Sequence, residues 1–580
     1  MTRFLAQTSP VADSTTSVVT PSIDFLGLLP VLLLTAGAVL LLMFRSLIPP
    51  PMNLSSPMKT SSVKRLFSFE TAWMFVLAVG GLVTVVVQWF RVQDEGPIAV
   101  FGSEFASDGL ALFAAAVILI SVAAVALLLP RFCEQAQIKK AELYVLLMLS
   151  AAGGVVMTGA NDLIVMFLGL ETLSIALYVM VALNRHGLMS IEAGIKYFVL
   201  GSFSSAFFLY GIAMIYSTTG TTRISGINAF FADYIVLRDG VLLTGLALLL
   251  VGLCFKVASV PFHAWLPDVY QMAPTPITAF MASAVKVAGF AALMRVIVLA
   301  LGERAHNWQP AVFVLASATL LLGAILATVQ NNIKRLLAYS SISHAGFMLV
   351  GVQAASHEGV AAVLFYLAVY AVISLGSFTI VSLLTGPDGD GDSATVASAA
   401  GLASRKPLLT AAFVVLLLAQ AGIPLTSGFM SKFYVISAAV EARSFWLAVV
   451  AIVSAVITAF AYLRIVVSMY FTSDIPATAD DGIPSDVDTV KDCHSDIPVA
   501  ADTGKGDNLE RPLTAAHLTT LKLGIPAGKG DPLTGAERLP IGAVVVVSVA
   551  VVVTLLVGVL PSPLVSLALD ASANLLGSIP

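Results

Sequence analysis

Residues Gly252–Gln271 read GLCFKVASVPFHAWLPDVYQ, and they follow VLLTGLALLLV, a run without a single charge. A bilayer core is crossed by roughly 20 mostly apolar residues, so this segment has the character of a span. Yet Lys256 lies inside it, and Pro261 follows five residues later, where it removes a backbone donor and frees a carbonyl. A charge at a helix centre costs about 2.5–3.5 kcal/mol on insertion scales. Non-helical backbone is tolerated at that depth only inside protein or beside a water-filled cavity. A lysine next to a break therefore predicts a hydrated, switchable site. Desolvation drives a buried ammonium toward the neutral amine and a nearby carboxylate opposes that drive, so the two together poise it for proton exchange. The competing reading is a snorkelling lysine, which works near helix ends; Lys256 is read here as several residues from the end of its helix.

The composition agrees. The 580 residues are 58% hydrophobic and 11% charged, against about 25% charged in soluble domains. Too few charges exist to cover a water-soluble protein of this length. The fold class is an all-α integral membrane protein, because these runs are too long and too uniformly apolar for barrel strands. About fourteen spans are expected, centred near residues 34, 79, 119, 149, 172, 207, 250, 287, 320, 343, 370, 420, 457 and 553. Cys133, Cys254 and Cys493 are scattered without ligand spacing, so no metal or iron–sulfur site is expected. The expected divisions are a polar tail at 1–23, three spans in 24–130, five-span units at 141–300 and 311–472, a polar loop at 473–540 and a last span in 541–580. The stretch 473–540 holds twelve Asp or Glu and six Lys or Arg, a composition that cannot bury enough apolar surface to fold alone. Cationic residues weight the loops on one side (Arg45, Lys59, Lys64, Arg65, Arg131, Lys139, Lys140, Arg185, Lys334, Arg335, Arg405, Lys406) over the other (Arg91, Arg223, Arg238, Arg304, Arg443). That bias places both termini outside.

An internal repeat organises the middle of the chain. ETLSIALYVMV from Glu171 aligns with SSISHAGFMLV from Ser340, and ASVPFHAW from Ala258 aligns with AGIPLTSG from Ala421, proline on proline. Five spans per copy is an odd number, so the second copy is inverted, with paired broken helices marked by Pro261 and Pro424.

Charges inside spans then need a reason. Glu171 lies mid-span with Ser174 and Tyr178 at helical spacing; it is a structural lysine partner or a relay group. Lys286 lies about ten residues into the next span, and Lys432 follows the second break. His344 sits in a stripe with Ser340 and Ser343 that reads as a hydrated path or a satisfied core histidine. Tyr366, Tyr370, Ser374 and Ser377 form one polar seam, which either lines the path or glues helices together. Lys196 and Glu192 are a surface pair or an entry site, and Lys334 is a positive-inside anchor or part of the relay. No nucleotide loop, metal cluster or nucleophile triad accompanies them.

The stretches WLPDVYQMAPTPITAF, NNIKRLLAYSSISHAGFML and AGIPLTSGFMSKFYVISA resemble the antiporter-like subunits of respiratory complex I. The resemblance covers roughly residues 140–470 and is strongest to the subunit N branch of bacterial NADH–quinone oxidoreductase, which is similar to mitochondrial NADH dehydrogenase subunit 2. It implies a proton-translocating membrane-arm subunit with fourteen spans in a bacterial plasma membrane. Glu171 resembles the glutamate that pairs with a lysine on the broken seventh span, here Lys256. Lys286 resembles the central lysine and Lys432 the exit-side residue. Subunit M is expected to carry glutamate at that last place, and subunit L a long lateral C-terminal helix. FMN, iron–sulfur clusters and quinone are implied in other subunits and no cofactor in this one. Subunits M, K, J and A and the lipid bilayer are the implied partners; nucleic acid is not. Met272 departs from the family's usual glycine, and the 473–540 insert is longer than the family's pattern. The rival readings are a subunit of a multisubunit cation/proton antiporter or membrane-bound hydrogenase, and a scaffold that does not pump.

Overall fold

The computed structural model describes residues 23–48, 68–136, 140–183, 188–234, 239–384, 394–471 and 539–576. The expected tail at 1–23 and loop at 473–540 fall outside these, apart from Ile23, Leu539 and Pro540.

The chain is a helical bundle. Its helices are α1 (Phe25–Leu47), α2 (Phe69–Glu95), α3 (Gly109–Gln135), α4 (Lys140–Gly159), α5 (Leu163–Val181), α6 (Leu188–Thr219) and α7 (Gly240–Val257). The broken continuation of α7 is α8 (Trp265–Met272), followed by α9 (Thr275–Ala300), α10 (Ala305–Thr328), α11 (Ile333–Gln353) and α12 (His357–Leu384). The second broken pair is α13 (Pro407–Ala421) and α14 (Ser427–Glu441); α15 (Phe445–Phe471), α16 (Ile541–Val559) and α17 (Ser562–Leu576) complete the chain. A two-stranded hairpin, Ile98–Ala99 against Ala106–Ser107, joins α2 to α3. Short polar side chains start the helices where the sequence leaves apolar runs: Asp24, Ser68, Asp108, Asp162 and Asn332 each accept a backbone N–H of the first turn.

Twelve of the described helices are long and apolar enough to cross a membrane. The two expected runs near 343 and 420 differ. The first is α11, whose Lys334, Arg335, serines and His344 dilute its apolar character. The second is split into α13 and α14, each of 15 residues. Length and apolarity alone therefore give twelve and not fourteen. Helices α9 and α12 are almost wholly buried and form the centre of the bundle, whereas α2, α6 and α15 turn apolar side chains outward.

The two copies share their close contacts. A Cβ on Gly153 of α4 would lie 2.5 Å from the Leu173 nitrogen of α5, and one on Gly323 of α10 would lie 2.5 Å from the Ser343 nitrogen of α11. These glycines let two helix backbones meet at equivalent places in each copy.

The breaks are built alike but not in the alignment's register. Helix α7 ends where Ala258 takes φ 59°, with the Ser259 N–H donating to Cys254 O (2.9 Å). Helix α13 ends where Gly422 takes φ 87°, with the Ile423 N–H donating to Leu418 O (3.0 Å). Both are left-handed caps that satisfy terminal carbonyls. Pro261 and Pro424 lie inside the breaks, three and two residues after those caps. The prolines therefore keep the chain from resuming as helix; the left-handed residue ends it. This corrects the placing of Lys256: it is the penultimate residue of α7, not several residues from the end.

Candidate functional site

Ending α7 at mid-bundle leaves the negative end of a helix dipole inside the protein. A cation in the last turn answers it. Lys256 is buried in the last turn of α7, and its Nζ donates to Ser174 Oγ of α5 (2.8 Å) and lies 5.9 Å from the centre of the Tyr197 ring. Trp265 Nε1 donates to Phe255 O (3.0 Å), capping the same helix end from across the break. Glu171 stands one turn before Ser174. Among the described residues no ion pair joins it to Lys256, and its Oε1 is buried without a hydrogen-bond partner. The pairing that the resemblance implies is thus open in this structure, with the ammonium resting on the neighbouring serine. A small cavity of about 10 Å³ lies beside Lys256, lined by Ser174, Tyr178, Ser204 and Ser205 among others; that is room for about one water.

Lys286 follows a π-helical turn, Met281–Val285, in α9. Such turns displace one residue from the regular ladder and recur at functional positions. Its Nζ donates to Ser341 O and Ser341 Oγ of α11 (2.5 Å each) and lies 5.3 Å from the Tyr370 ring centre. Gly289, one turn on, faces the end of α7: a Cβ there would lie 3.1 Å from Val257 Cγ1 and 3.6 Å from Lys256 Cγ.

From Ser341 the polar path continues along α11. His344 Nδ1 is hydrogen-bonded to Tyr366 Oη (2.7 Å) and Nε2 to Tyr462 Oη (3.1 Å), and its ring centre is 4.9 Å from that of Tyr370. Tyr462 Oη is also hydrogen-bonded to Ser340 Oγ and donates to Gln420 Oε1 (3.3 Å). Gln420 Nε2 donates to Ser377 Oγ (2.8 Å). The path reaches Lys432, whose Nζ donates to Gln420 O (3.0 Å) and Ala421 O (2.8 Å), the last carbonyls of α13. The second copy thus puts an ammonium on the last carbonyls of its first half-helix, with the lysine reaching back from α14, whereas Lys256 belongs to the last turn of α7 and donates to Ser174. Of the seam, Tyr366 and Tyr370 pack on His344 and Ser377 accepts from Gln420.

The flanking residues divide. Lys196 makes the expected pair with Glu192 (2.6 Å) and also meets Asp268 Oδ2 of α8 (3.3 Å). Arg335 of α11 takes the other oxygen of Asp268 (2.7 Å). Lys334 is fully buried, with Nζ donating to Ala273 O (2.7 Å) at the end of α8. Met272 ends α8 in helical conformation and needs no glycine there.

Tyr462, Gln420 and Ser341 were missed. The signal was faint: Tyr462 and Gln420 are lone polar side chains in apolar runs, AFAYLR and LLLAQAG, and Ser341 is one serine among several in AYSSISHAG. Arg295 is fully buried and paired with Asp108 (2.7 Å). Among the described residues no group of three His, Cys, Asp or Glu could hold a metal ion.

Paired broken helices and a row of buried amines define a class: polytopic membrane proteins that move protons or small cations. The NADH:quinone oxidoreductase/Mrp antiporter transmembrane family matches residues 160–458, and the chain belongs to that family. It is 48% identical over 363 residues to a Mycobacterium bovis protein named NADH-quinone oxidoreductase subunit N, covering 61% of this chain and 68% of that one. It is 41% identical over 490 residues to subunit N 3 of Streptomyces griseus, covering 79% and 87%. Among solved structures, respiratory complex I from Thermus thermophilus with bound aureothin matches with TM-score 0.66 and 26% identity over 93% of this chain and 98% of that one. The Mrp complex from a Dietzia species shares the fold, with TM-score 0.72 at 21% identity over 96% and 98%.

Proposed function

We propose that the chain serves as subunit N of NADH–quinone oxidoreductase, a proton-translocating subunit of the membrane arm. It would sit in a bacterial plasma membrane as fourteen spans, with repeats at 141–300 and 311–472 and both termini outside, beside subunits M, K, J and A. FMN, iron–sulfur clusters and quinone belong to other subunits in this reading. The relatives that carry the subunit N name favour it over the antiporter and hydrogenase alternatives.

One observation carries the mechanism: Lys286 donates to Ser341, one turn before His344 on α11, and His344 is linked through Tyr462 to the side chain of Gln420, whose backbone carbonyl accepts from Lys432. Lys256 is the input. When charge changes in the neighbouring part of the complex, Glu171 moves one turn toward Lys256 or away from it, and the ammonium exchanges Ser174 for a carboxylate. A hydrogen bond to a charged partner is worth about 1.5–3 kcal/mol net. Moving one charge against the membrane potential costs about 2.3 kcal/mol per 100 mV, so a single exchange of partner is commensurate with the work. The proton then passes to Lys286, His344 and Lys432. Entry runs past Asp268, Lys196 and Arg335, with Lys334 buried behind them; Tyr366 and Tyr370 hold the middle of the path.

The test is Lys256→Ala in the assembled complex in its native membrane. NADH-driven quinone reduction and proton uptake into inverted vesicles are both expected to be lost. Normal values for both would leave the lysine structural and the subunit a scaffold.

A further inference from the structure

A cavity of about 550 Å³ opens between α2, α3, α12, α16 and α17 and touches the start of α14; none of the amines lines it. Its volume falls within the range of ligand sites. Its walls are valine, leucine, alanine and phenylalanine; Trp89, Ser121 and Ser427 alone bring polar side-chain atoms. Ser121 spends its hydroxyl on Val117 O (2.8 Å) within its own helix. Water in a cavity needs two to four polar partners each, so this space is not a water path. The rim residues Val86, Phe90, Ile120 and Leu567 are exposed and apolar, and they continue the outward stripe of Val76, Val79 and Val83 on α2. The opening is therefore sideways, into the hydrocarbon that the twelve spans require. At one end of α2, Trp89 is followed by Arg91, ion-paired with Asp24 and Glu95. An aromatic ring beside clustered charges marks the headgroup level.

We propose that this crevice is a binding site for an acyl chain of a membrane phospholipid, which enters from the Trp89 end and reaches Ser427. Ser427 opens α14, five residues before Lys432. The chain would thus pack the space beside the second break and steady the half-helix that carries the amine. The site stands on shape and lining, so it holds whether or not the amines pump.

The test uses the intact complex reconstituted in phosphatidylethanolamine with a photoactivatable diazirine at the acyl terminus. In a parallel sample the same group is placed on the isoprenoid tail of a quinone analogue. After exchange of bulk lipid and illumination, adducts are mapped by mass spectrometry. The phospholipid probe is expected to label lining peptides of α3 and α12. Ala116→Phe, which fills the crevice from α3, and Val86→Trp, which closes the rim, should each lose that label while the exposed face of α6 keeps its own. Three outcomes overturn the proposal: no adducts in the lining of the wild-type protein, labelling there by the quinone probe alone, or labelling undiminished in variants that assemble.

Discussion

Lys432 is held by the last two carbonyls of α13, and Gly422 is what lets it in. At φ 87° a side chain is strained by roughly 1–2 kcal/mol. A Cβ would also stand 2.9 Å from Lys432 Cδ. Gly422→Ala is therefore expected to lower the thermal midpoint of the assembled complex and to cut proton uptake by displacing the ammonium. Ala258→Gly at the matching cap relieves strain and should leave both unchanged or improved. Equal behaviour of the two variants would mean that the caps do not place the lysines. Tyr462 tests the path itself. Tyr462→Phe removes the hydroxyl between His344 and Gln420 and leaves a buried ring nitrogen without that partner, a loss of about 1–3 kcal/mol. Assembly should survive, and proton uptake in inverted vesicles should fall sharply. A variant that pumps as the wild type does would remove Tyr462 from the route.

At the scale of elements, α8 is fixed at both ends and in the middle. Trp265 ties its start to Phe255 O, Asp268 ties its flank to α6 and α11, and Lys334 caps its end. Asp268 is part-exposed, and pairs of that kind contribute only about 0–1 kcal/mol. Asp268→Asn should thus leave the complex as stable as before. If the carboxylate gathers protons at the entrance, NADH-driven quinone reduction and proton uptake should slow together with their ratio kept. Unchanged rates would restrict Asp268 to holding α8. Much of this element was legible beforehand: a lysine, a proline and a second copy of both announced the breaks. Where the helices end was not. Alanine favours helix, so nothing local marks Ala258 as a left-handed cap, whereas Gly422 carries its own signal. Burial of Lys334 was equally hidden. Neighbours on a helix point about 100° apart, and only the position of α8 decides that Arg335 faces water while Lys334 does not. Gln420 and Tyr462 gain their meaning from helices far off in sequence.

Across the whole molecule, the row of amines works only if α9, which carries Lys286, keeps its place, and the Arg295–Asp108 pair is the clearest fastening. Asp108 Oδ1 caps α3 through the Ala111 N–H (2.8 Å) and accepts from Arg295 Nη2 (2.7 Å). Arg295 Nε donates to Thr158 O at the end of α4 (2.5 Å). One guanidinium at the π-helical end of α9 thereby joins three helices, with both side chains fully buried. Removing one partner of a buried pair costs about 3–5 kcal/mol, because a charge is left alone, while removing both with well-packed replacements is often neutral. Arg295→Leu should accordingly deplete the subunit from membranes. Asp108→Ser with Arg295→Leu, which keeps an N-cap hydroxyl, should recover most of the level, as judged by blotting and by the thermal midpoint of the purified complex. The recovered double variant then separates fastening from pumping. If it assembles and pumps, the pair only holds α9 in place; if it assembles and does not, the buried charges belong to the electrostatics of the relay.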